Sequence, residues 1–84
     1  MTDRLILRVT WRDAVSNHAG WASTADVQKQ QCPIVHSVGF ELRRTKRHLT
    51  LASSIMDDEC SGDLTIPLGM IVREEILQGG PVKK

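Results

Sequence analysis

Leu5, Leu7, Val9 and Trp11 alternate with Ile6, Arg8, Thr10 and Arg12, the period of two expected of a half-buried strand. The polar, turn-forming stretch from Asp13 to Gly20 interrupts that pattern. Ser23 or Thr24 then caps a short helix over residues 25–31, with Asp26 in its first turn and Pro33 to end it. Two turns of helix need tertiary anchors, and the candidates are Trp21, Ala22 and Val27. The longest alternation follows: Ile34, His36, Val38, Phe40 and Leu42 share one face, and Leu49, Leu51 and Ser53 share another. A turn at Thr45-Lys46 sets Leu42 opposite Leu49 and Phe40 opposite Leu51, so both apolar sets reach one side of a hairpin. The second strand continues through Met56, an acidic turn spans residues 57–62, and Leu64 and Ile66 mark a fourth strand. Pro67 and Gly69 break it before a last strand over residues 70–77.

The pattern predicts a mainly β chain, a small five-stranded bent sheet or partly open barrel, with one short helix in the loop after the first strand. Residues 1–77 form the single domain and residues 78–84 a flexible tail. Eighty-four residues, 40% hydrophobic and 25% charged, suit one folded domain with a small core. That core is aliphatic, because Trp11, Trp21 and Phe40 are the only aromatic side chains.

Formal net charge is +1, so no global field draws the chain to nucleic acid or a membrane surface. Locally the balance differs: residues 40–50 hold four Arg/Lys against Glu41, and residues 57–63 hold four acids and no base. The start of the chain runs into a strand pattern rather than an apolar leader, and no apolar run approaches a membrane span, so a cytoplasmic location is expected. Cys32 and Cys60 are too few for a disulfide framework and read as reduced thiols rather than a bridge.

Residues 9–14 (Val-Thr-Trp-Arg-Asp-Ala) resemble the first strand and turn of Sm-like proteins, and Gly39-Phe40-Glu41-Leu42 resembles their bent second strand. Ile66-Pro67-Leu68-Gly69-Met70-Ile71-Val72 resembles the signature of their last two strands. The chain looks most like the small Sm-like proteins of bacteriophages, which carry a Gly-Trp loop and an Ile-Pro-x-Gly step. That resemblance implies a bent five-stranded sheet, assembly into rings and RNA binding in the host cell cytoplasm. Two departures bear on the RNA site: the family's Asp and Asn are replaced by Thr45, Lys46, Arg47 and His48, and its basic residue before glycine is Leu68.

The leading candidate site is the hairpin tip, Arg43, Arg44, Lys46, Arg47 and His48. In the register above Arg44 faces Arg47 and Arg43 faces His48, a like-charge arrangement that an anion would relieve. Guanidinium forks suit phosphate. The alternative is a solvated tip whose charges discourage strand pairing. Trp21 is a stacking platform for a base or an anchor for its loop. Arg4, Arg8 and Arg12 share one face and either line a groove, pair with the acids of residues 57–63, or are solvated. His36 reads as a core or interface residue. His18, His36, His48, Cys32 and Cys60 lack metal-ligand spacing, so no metal or cofactor is expected. Ser16, Asn17 and His18 are adjacent without forming a triad, and no enzyme activity is expected. The expected partners are further copies of the chain, RNA or a nucleotide (held on the surface or sequestered between subunits), or a host or phage protein.

Overall fold

The computed structural model describes residues 4–16 and 20–82. In chain order it holds β1 (Ile6–Arg12), α1 (Thr24–Gln28), β2 (Ile34–Arg44), β3 (His48–Ala52), β4 (Ser54–Met56), β5 (Glu59–Ser61) and β6 (Leu64–Pro67). One 3₁₀ turn, Leu68–Met70, leads into β7 (Ile71–Ile76). Five strands make one antiparallel, unclosed sheet in the order β6-β3-β2-β1-β7, and β4 pairs only with β5. The mainly β expectation is met, with a separate two-stranded hairpin added.

Leu7, Val9, Leu49, Leu51 and Ile66 form the buried core, and Trp11, Leu64, Leu68, Met70 and Ile71 pack against it. The alternation read in β1 is thus the one the structure uses. In β2 the phase is reversed. Val35, Ser37 and Gly39 lie opposite Trp11, Val9 and Leu7 and face inward, while Ile34, His36 and Val38 are exposed. Two local interactions set this phase against the apolar pattern. A β-carbon at residue 39 would come 2.8 Å from the Ala52 carbonyl oxygen, so the sheet packs tightly there only over glycine. Trp11 Nε1 also donates to Ser37 Oγ at 3.0 Å, which holds Ser37 on the inner side.

The hairpin register differs as well. Phe40 pairs with Ala52, Glu41 with Leu51, Arg43 with Thr50 and Arg44 with Leu49, and a bulge lies between Glu41 and Arg43. The turn is three residues, Thr45 to Arg47, because the Thr45 N–H donates to the His48 carbonyl and Thr45 Oγ1 accepts from the Arg47 and His48 amides. The bulge puts Glu41 and Arg44 on the side of Leu51 and Leu49. The strand predicted to run on to Met56 stops at Ser53. Gly62, with φ 65°, lies so close that a β-carbon there would meet Ser53 Oγ at 2.0 Å. The chain kinks at this contact, and the acidic stretch becomes the β4–β5 hairpin turning at Asp57 and Asp58.

Pro67 ends the edge strand β6. The Leu68 amide bonds to the Arg47 carbonyl, so by alternation a residue-67 N–H would point away from β3. Proline therefore costs no ladder bond there.

Between β1 and β2 the chain forms an arm. The Asp13 amide donates to the Pro33 carbonyl at its base. Ser23 Oγ accepts from the Asp26 amide at the start of α1, yet α1 buries no residue. The radius of gyration is 16.8 Å, against about 12 Å for a compact chain of this length. Among the described residues no helix is long and apolar enough to cross a membrane.

Candidate functional site

The three-residue tip presents Lys46 and Arg47 to solvent. Arg43 points outward beside Thr50, whose Oγ1 lies 2.9 Å from Thr65 Oγ1. Among the described residues Arg43, Lys46 and Arg47 have no ion-pair partner. His48 is half-buried opposite Pro67. These four residues form one basic end of the β2–β3 hairpin.

Arg44 is not part of that end. The bulge turns it inward, where its Nη2 pairs with Glu41 at 2.7 Å and also with Glu74 of β7. The hydrogen bond that Arg44 donates to Glu74, then the one it donates to Glu41, raises the guanidinium pKa above its ordinary value. Arg44 therefore does not face Arg47, and Arg43 does not face His48. No like-charge pair lies across the hairpin for an anion to relieve.

Trp21 lies apart from the basic tip. It follows Gly20 (φ 87°) on the arm and is 97% exposed. The arm leaves β2 at Ile34 and the tip begins after Arg44, so an 11-residue strand of about 33 Å separates them. Trp21 is not the core anchor expected of it, and Ala22 and Val27 are exposed too. The arm is held at its base by the Asp13–Pro33 bond rather than by apolar burial.

The arginines of the first strand do not pair with the acidic hairpin. Arg4 donates to the Glu41 and Leu42 carbonyls, and Arg12 has no ion-pair partner among the described residues. Arg8 makes a two-oxygen contact with Glu75, at 2.9 Å to Oε1 and 2.7 Å to Oε2. The hydrogen bond from Arg8 holds the Glu75 carboxyl below the usual range.

That pair lines an outward groove with Thr10, His36, Val72 and Arg73, a constellation the sequence reading missed. His36 is exposed rather than buried, with Nδ1 3.1 Å from Thr10 Oγ1. The available signal was Gly39. Taking it as the inward residue of β2 would have put His36 and Val38 on the face of Arg8 and Thr10.

Cys32 and Cys60 are free and exposed. Asn17 and His18 lie outside the described residues. Among the described residues no three His, Cys, Asp or Glu side chains converge to hold a metal ion. No family model, curated protein or solved structure matches the chain.

Proposed function

We propose that this protein is a small, non-enzymatic, self-associating binding module of the Sm-like, bacteriophage type, which takes the phosphates of RNA or of a nucleotide on its basic tip in the host cytoplasm. The observation that carries the reading is the set Arg43, Lys46 and Arg47, without ion-pair partners among the described residues, at one exposed turn with His48 beside them. Arg44 is excluded from it by Glu41 and Glu74. The Sm-like assignment is supported by the antiparallel order β6-β3-β2-β1-β7, the close packing at Gly39, and the single 3₁₀ turn joining the two edge strands. Those open edges, β6 and β7, are the surfaces through which copies would pair.

The test is fluorescence anisotropy with a single-stranded RNA and with nucleotides across a salt series. Three phosphate contacts give a log–log salt slope of about −2 for a single strand. Replacing Arg43, Lys46 and Arg47 together by Ala weakens binding about tenfold or more, while Arg44→Ala leaves the slope unchanged. Salt-independent affinity, or none for any RNA or nucleotide tried, overturns the reading. Native mass spectrometry of the purified protein reports self-association directly, and a clean monomer counts against it.

A second reading rests on Trp21. An almost fully exposed tryptophan on an arm whose helix buries nothing suits a module that docks a host or phage protein. A specific partner recovered from host lysate and retained after nuclease treatment, but lost with Trp21→Ala, would favour it over the tip.

A further inference from the structure

We propose that the outward groove of β1, β2 and β7 is a second anion site, separate from the tip, in which Arg73 and His36 bind a phosphate group and the Arg8–Glu75 pair positions Arg73. The site follows from strand pairing. Thr10 lies between its neighbours Arg73 on β7 and His36 on β2, so these two flank it at about 10 Å. That span fits one tetrahedral oxyanion held from both sides.

Arg73 Nε lies 3.3 Å from Glu75 Oε1, and the Arg73 side chain is 69% exposed. Its terminal nitrogens make no hydrogen bond among the described residues, leaving a fork for two anion oxygens. Among the described residues Glu75 is the one acid lining the groove, and both its oxygens are taken by Arg8. Its charge is thus offset by one guanidinium, and a second, that of Arg73, remains in surplus. Arg12, two residues along β1 from Thr10 and exposed, adds to that surplus. On the other side, when the Thr10 hydroxyl donates to His36 Nδ1, the neutral ring carries its proton on Nε2. The imidazole that lines the groove then has an N–H to offer an anion. Val72 supplies an apolar wall.

The inference stands independently of the tip, and the experiment separates the two. Inorganic phosphate and AMP are titrated at constant ionic strength in sodium chloride, with the His36 ring and the Arg73 Nε–H followed by NMR. Saturable shifts at both groups are expected with either probe, and also in the variant with Arg43, Lys46 and Arg47 replaced by Ala. Arg73→Ala raises the phosphate Kd at least about tenfold with thermal unfolding unchanged, and His36→Asn raises it by a smaller factor. AMP binding more tightly than phosphate identifies a nucleotide monoester as the source, and equal affinity identifies free phosphate. The proposal is overturned if neither group shifts saturably, if Arg73→Ala leaves the Kd unchanged, if the tip variant abolishes the shifts, or if succinate binds as tightly as phosphate.

Discussion

Arg44 on β2 and Glu74 on β7 meet across β1, which lies between their strands. The contact is available because the bulge after Glu41 turns Arg44 to the side of Leu49, the side that Glu74 shares with its neighbour Val9. Glu41 joins from the same strand, so one guanidinium serves two carboxylates. Replacing Arg44 by Ala leaves those carboxylates near each other. With a side chain 40% exposed, the expected loss is about 1 kcal/mol. Urea unfolding of Arg44→Ala, Glu74→Gln and the double variant yields a coupling energy of about 0.5 kcal/mol that shrinks in high salt.

Gly39 has no room for a side chain. Gly39→Ala places a methyl against the Ala52 carbonyl and is expected to cost about 2 kcal/mol or more. Gly69→Ala, where the added carbon meets nothing within 4 Å, stays within about 0.5 kcal/mol. Equal urea midpoints for the two variants would refute the idea that packing at Gly39 fixes the phase of β2.

The two tryptophans separate by role. Trp21→Ala changes stability by less than about 0.5 kcal/mol, because the side chain touches little of the fold. Trp11→Phe loses the bond to Ser37 and costs about 1 kcal/mol. Fluorescence of the Trp11→Phe variant, which reports Trp21 alone, is expected at the red, water-exposed limit and shifts to the blue only when a ligand or partner covers the arm.

Acid should weaken the sheet through Glu75. The hydrogen bond from Arg8 lowers its folded pKa, so the contribution is present above the unfolded value of about 4.3 and is lost as pH falls through the lower folded value. Thermal unfolding between pH 7 and pH 2 should therefore show a destabilisation below about pH 4 that Glu75→Gln partly removes. A variant with an unchanged acid limb would assign that limb to other carboxylates.

The residues differ in how far they announce their place. Leu7, Val9, Leu49, Leu51 and Ile66 read as core from the period of two along their strands, and each is buried. Ile34, Val38 and Phe40 mislead, since their bulk outweighs in any apolar count the one glycine and one serine that set the inward phase. Arg44 misleads for a different reason. A one-residue bulge inverts every later side chain, and nothing in the local composition marks it. The Arg8–Glu75 pair joins residues 67 positions apart and depends on which strand neighbours β1, a fact of topology rather than of pattern.

The arm and the basic tip leave opposite ends of β2, and neither lends an exposed residue to the five-residue buried core. Substitutions at Trp21 or at Lys46 and Arg47 are thus nearly free of folding consequences. Selection can rewrite what either end recognises, one at a time, while Gly39, Ser37 and the aliphatic core keep the scaffold constant. A lineage under pressure to change targets quickly would find that separation useful, because each new specificity starts from an already stable sheet.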